Sequence, residues 1–169
     1  VDQLSIRGVN LAGLSPASKM FFKDQQIPCG SGKLVDVTLA GAQYDIMKKT
    51  ITQLINDPET GIVVVAIGSS AQFNPELAVK PIIDAVEENP AAAPVIAFPL
   101  PIAKQSMVML EANGIPCFGS VESCADSVAL LLAAESSTFD DQRDDAIDLK
   151  NVQQQLDAVI KAAAIGGDG

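Results

Sequence analysis

Ile62-Val63-Val64-Val65-Ala66-Ile67 decides the fold class, because every position is apolar instead of alternating with polar ones. A strand with one wet face alternates, whereas a strand covered by helices on both faces reads as a continuous β-branched run. The stretch is therefore expected mid-sheet. Working outward, residues 34–38, 95–98 and 115–118 are further strand candidates. Between them apolar residues recur at helical spacing: Met47, Ile51, Leu54 and Ile55, then Val79, Ile82, Ile83 and Val86. Strands and helices alternate through short turns, which implies repeated βα units with parallel strands and right-handed crossovers.

The punctuation agrees with this division. Ser15-Pro16 and Asn74-Pro75 each place a side-chain acceptor at an N-cap and a proline at the first helical position. Gly114, after Glu111-Ala112-Asn113, reads as a left-handed C-cap leading into the last strand. A further helix, 121–134, sets Cys124, Val128, Leu131 and Leu132 on one face. The expected fold class is α/β, a flavodoxin-like three-layer parallel sheet with helices on both faces. One such domain covers 1–135. Residues 136–148, with Asp140, Asp141, Asp144, Asp145 and Asp148, read as an acidic, self-repelling linker, and 149–169 as a C-terminal helix and tail.

Composition narrows the partners. The 169 residues suit one core, and with 48% hydrophobic but 4% aromatic residues that core is built from aliphatic side chains. A formal charge of −10 repels phosphate backbones and anionic headgroups, which argues against nucleic acid and membrane surfaces. No apolar run reaches the roughly 18 residues of a membrane span. Cys29, Cys117 and Cys124 show no CxxC spacing and histidine is absent, so neither a zinc site nor a disulfide framework is supported. A cytoplasmic location is expected. The first residue is Val1 rather than Met, which leads us to expect a fragment, a processed product or a trimmed piece.

Without histidine there is no Ser-His or Cys-His pair, and no catalytic residue is assigned. Gly30-Ser31-Gly32-Lys33 precedes a strand, whereas a phosphate-cradling loop follows one and opens a helix. Lys48-Lys49 reads as a solvated helix flank, and Met107 and Met109 as core-facing positions. Asp36, within Val35-Asp36-Val37, is a structural acid expected to bond backbone amides, since an unpartnered buried carboxylate is costly. Ligands of open parallel sheets bind beyond the strands' carboxyl ends, here the loops at 38–41, 68–70, 99–101 and 119–120. Thr38, Gly41, Gly68, Ser69 and Ser70 are the ligand-binding candidates, Gly68-Ser69-Ser70 foremost, because small residues let backbone N–H groups approach an anion.

A set of segments in order resembles one family. Gly8-Val9-Asn10-Leu11-Ala12-Gly13-Leu14-Ser15, Val35-Asp36-Val37-Thr38, Asp57-Pro58, the 62–67 run and Asn113-Gly114-Ile115-Pro116-Cys117-Phe118 followed by Val121-Glu122-Ser123 are similar to the second CoA-ligase-type domain of NDP-forming acyl-CoA synthetases, relatives of succinyl-CoA synthetase. The resemblance covers roughly 1–134. It implies a parent enzyme that makes acyl-CoA from a carboxylic acid and CoA, using ATP with Mg, through an acyl-phosphate and a phosphohistidine. It also implies that the phosphohistidine, the ATP-grasp module and the CoA-binding Rossmann domain lie in other domains or subunits, the chain's expected partners. Family members carry a first strand and a Gly-rich loop before the helix matching 1–8, an element this chain is expected to lack, and Lys33-Leu34 stands where they have Asn-Pro. The chain is thus expected to be a non-catalytic lobe, inactive alone. Two other readings compete: a free-standing flavodoxin-like module, regulatory or binding a small anion, and a hydrolase using Cys117 or Cys124.

Overall fold

The computed structural model describes residues 1–29, 33–37 and 43–136. The chain divides into two units, Val1–Leu132 and Ala133–Gly169. Of the second, only the end of a helix is described, so the acidic stretch and the C-terminal helix expected from sequence lie outside the described residues beyond Ser136. Elements run in the order α1 (Asp2–Ile6), α2 (Pro16–Asp24), α3 (Tyr44–Ile55), β1 (Val63–Ile67), α4 (Ser70–Phe73), α5 (Pro75–Glu87), β2 (Val95–Pro99), α6 (Lys104–Ala112) and α7 (Val121–Ser136). This is a mixed α/β fold around a small parallel sheet.

β1 and β2 pair in parallel, Val63 opposite Val95 and Ile67 opposite Pro99. A single parallel bridge joins Ala97 to Cys117. Among the described residues β2, not the expected 62–67 strand, is the one with a pairing on each side. β2 is buried at Val95, Ile96, Ala97 and Pro99, whereas in β1 Val64 is half-buried and Ala66 exposed. An apolar run records what a strand can bury, not how many strands flank it.

Two of the four expected strands shrink. In 115–118 the Ala97 N–H donates to the Pro116 carbonyl and Phe118 donates to the Ala97 carbonyl, both at 2.9 Å. Pro116 has no N–H to donate, and pairing stops at the one bridge. Residues 34–37 form no strand; the Asp36 N–H donates to the Pro28 carbonyl at 3.0 Å. Thr38 lies outside the described residues.

Side chains on alternate sides of the strands enter different clusters, as the two-residue period requires. Val63, Val65, Ile67, Val95 and Ala97 pack with Ile51 and Ile55 of α3, Val79 and Ile82 of α5, and Leu110 of α6. Met107 and Met109 pack against this cluster, as expected. Ile96, with Val64 and Phe98 beside it, packs with Cys124, Val128 and Leu132 of α7. Each fully buried Ile or Val contributes about 1.5–3 kcal/mol relative to exposure. The helical stripes follow the sequence reading except at Leu131, which is exposed. A third, smaller cluster holds Leu14, Phe22 and Ile27.

The caps divide. The Ser15 side chain accepts the Ser18 N–H at 3.2 Å, and Gly114 takes φ 75°, the left-handed conformation that glycine tolerates. Asn74 occupies its N-cap position but makes no side-chain cap bond.

Candidate functional site

The carboxyl ends of β1 and β2 and the Cys117 bridge open onto one set of loops. Gly68, Ser69 and Ser70 follow β1 and are exposed, with Ser70 starting the four-residue α4. Leu100 and Pro101 follow β2 across a cis peptide bond. The Leu100 N–H donates to the Ile67 carbonyl at 2.7 Å, and the Gln72 side-chain amide donates to the Ile102 carbonyl at 2.9 Å. Beneath them the buried Ser106 hydroxyl donates to the Ala71 carbonyl at 2.7 Å. These three bonds lock the two loops side by side. In the third loop, the Ser120 hydroxyl oxygen accepts the Ser123 N–H at 3.1 Å, so it serves the start of α7. Of the sequence candidates, Gly68, Ser69 and Ser70 stand together at this edge, while Thr38 and Gly41 lie outside the described residues.

Asp36 is exposed and has interactions of its own. The deeply buried carboxylate is Asp57, 3% exposed, just past the end of α3. It accepts the Ser15 N–H at 3.1 Å, the Ser15 hydroxyl at 2.9 Å and the Glu59 N–H at 2.9 Å. Burial pushes its carboxyl up, but hydrogen bonds from Ser18, the Glu59 N–H and Ser15 together carry it below its ordinary value. Asp57 thereby fastens the start of α2 to the end of α3. The signal in the sequence was an acid directly before Pro58, after an amphipathic helix, matched with Ser15-Pro16.

A second set sequence reasoning missed ties α3 to α5. The Tyr44 hydroxyl donates to Asp84, Lys80 pairs with Asp84 at 3.1 Å, and Lys48 pairs with Glu88 at 2.6 Å. The Tyr44 bond, then the Lys80 bond, holds the Asp84 carboxyl low, and the same Asp84 bond raises the Tyr44 hydroxyl. Lys48 is thus a tethered cation, while Lys49 is exposed as expected. Phe21, Asp45, Lys48, Lys49, Thr52 and Gln53 line an open groove of about 370 Å³. Gln53 also donates to the Ser18 hydroxyl at 2.8 Å, so two of the groove's polar groups are engaged within the fold.

The buried thiols, Cys117 and Cys124, are poor nucleophiles. Burial, followed by the charge of Glu111 and the neighbouring Cys124, pushes the Cys117 thiol up to about 11, and burial also raises Cys124. A buried thiol held protonated neither attacks nor ligates readily. Among the described residues no three of His, Cys, Asp and Glu gather as a metal-binding set. The turn after β1 opens a helix of four residues, too short to aim a row of N–H groups at a phosphate. These residues do not fit a nucleotide or its metal, and no chemical step is assigned to them. Among the described residues no helix is long and apolar enough to cross a membrane.

No protein-family model and no curated protein matches the chain. Solved structures do. The chain is similar to PH0766 from Pyrococcus horikoshii OT3, with 25% identity and a TM-score of 0.67 over 78% of this chain and 31% of that one. It is also similar to the dinucleotide forming acetyl-coenzyme A synthetase 1 of Ca. Korarchaeum cryptofilum in its apo form, with 19% identity and a TM-score of 0.65 over 79% of this chain and 30% of that one. The same synthetase in complex with phosphate and ADP matches at 19% identity and a TM-score of 0.65, over 79% of this chain and 29% of that one. At 19% identity the synthetase likeness is one of fold. The chain spans about 30% of the length of these structures.

Proposed function

We propose that this chain is a non-catalytic lobe of an NDP-forming acyl-CoA synthetase, an enzyme joining a carboxylic acid to CoA at the expense of ATP. The observation that carries the reading is the asymmetry of the structural match: 79% of this chain corresponds to only 30% of a synthetase chain. The ordered segments from Gly8 to Ser123 point the same way. With no histidine in 169 residues, this chain cannot itself carry a phosphohistidine. The catalytic groups, CoA, ATP and Mg then belong to other domains, a CoA-binding Rossmann domain and an ATP-grasp module, in the same polypeptide or a partner subunit.

Within this reading the fold is the three-layer flavodoxin-like one, supported by the separate clusters that the two sides of β1 and β2 enter. Thr38, Gly41, Gly68, Ser69 and Ser70 are the positions assigned to ligand contact, and the enzyme works in the cytoplasm. What these described residues do is hold: Asp57 ties α2 to α3, Asp84 ties α3 to α5, and Ser106 fixes the loops of the carboxyl edge.

The test compares two preparations, this chain alone and the polypeptide encoded by the complete reading frame that contains it, purified with any partner subunit it binds. Acid- and CoA-dependent ADP or GDP release is expected from the complete polypeptide, with none from the chain. Turnover by the chain alone, or a complete polypeptide that forms no acyl-CoA from any acid offered, overturns the assignment.

A further inference from the structure

The carboxyl edge carries an apolar surface. Phe73 is 82% exposed, Leu100 70% and Ile102 53%, and the Gln72 to Ile102 and Leu100 to Ile67 hydrogen bonds bring their loops together. Charged residues make up 19% of the chain, yet none occurs in 68–75 or in 99–103, the loops that follow β1 and β2, and the exposed Glu76 and Lys104 stand only at their far ends. Depletion of charge around an exposed aromatic ring is the composition of an interface centre, not of an ordinary solvated loop.

We infer that this edge docks another protein domain, and that its occupant is a domain of the parent synthetase. This rests on the proposed function. Three arguments select the occupant. A membrane is disfavoured by the net charge of −10 and the lack of any cation in the two segments. A second copy brings another −10, and that repulsion opposes self-association. The solved structures that match this chain contain more than twice its matched length in additional polypeptide, since the match covers only 29–31% of them. Rigid loops suit such a contact, because little side-chain and backbone freedom is lost on docking.

The experiment places a photoreactive benzoylphenylalanine at position 73, and in a separate preparation at position 20 on α2, where Met20 is also exposed. Each purified chain is irradiated in extract of the cells that encode it, and the linked peptides are sequenced. Linkage from position 73 to a polypeptide carrying CoA- or ATP-binding parts is expected, reduced at least tenfold by adding Leu100→Asp and Ile102→Asp, which leave the thermal melt unchanged. Linkage to that polypeptide from position 20 and not from 73 overturns the docking surface while leaving the synthetase reading intact. Linkage from 73 only to the chain itself or to a second copy overturns the docking surface too, and linkage to an unrelated polypeptide sinks both.

Discussion

Asp57 is a buried acid that joins two helices, α2 and α3. Its carboxylate accepts bonds from Ser15 and Glu59 in a buried setting, so Asp57→Ala leaves the Ser15 N–H without that acceptor. The expected loss is about 1–3 kcal/mol in urea unfolding. Because the folded carboxyl lies below its ordinary value, its stabilisation is present above the unfolded value of about 4 and is lost as pH falls through the lower folded one. The stability gap between the wild type and Asp57→Asn should therefore be widest at neutral pH and narrow below about pH 4. A gap that stays constant from pH 6 to pH 3 would show that the carboxylate is not what holds α2 to α3. The thiols give a second prediction at this scale. Cys117 and Cys124 are buried and Cys29 is half-buried, so iodoacetamide on the native protein should modify Cys29 first by intact mass. Faster labelling of Cys117 would revive the hydrolase reading.

At the scale of elements, β2, with a pairing on each side, is the strand to probe. Ile96 is buried on the α7 side of β2, and Ile96→Asp places a carboxylate among Cys124 and Val128 with no cation in the cluster. The cost is several kcal/mol, comparable to a typical domain's whole stability, and the variant should be unfolded or insoluble. Ala66→Asp, on the exposed side of β1, should shift stability by no more than about 1 kcal/mol. Equal thermal melts for the two variants would contradict the strand order. Helices were more legible than strands because their stripes depend on local spacing: α3, α5 and α7 stand where the sequence placed them, α5 even through the buried Pro81. Strand pairing depends on partners distant in sequence. Val35 and Val37 look like a strand but spend their apolar surface on the Leu14–Phe22–Ile27 cluster instead. The site was legible as an edge, from the glycines and prolines ending each strand. Its apolar character was not, because Phe73, Leu100 and Ile102 sit in runs that read as core until the chain is folded.

Considered whole, the described residues bury the Cys117 and Cys124 thiols, tie Lys48 to Glu88 and leave two uncharged loops at the carboxyl edge, in a sequence without histidine. The chain's likeness in fold to part of longer synthetase structures is what the proposed lobe role builds on. The most direct measurement is reconstitution. The complete polypeptide is prepared without the segment corresponding to residues 1–136, and acyl-CoA formation is followed before and after adding this chain in trans. The account predicts that the deleted form is inactive, that the wild-type chain restores synthesis, and that the chain carrying Phe73→Asp and Leu100→Asp restores it at least tenfold less well. A deleted polypeptide that makes acyl-CoA as fast as the intact one would contradict it.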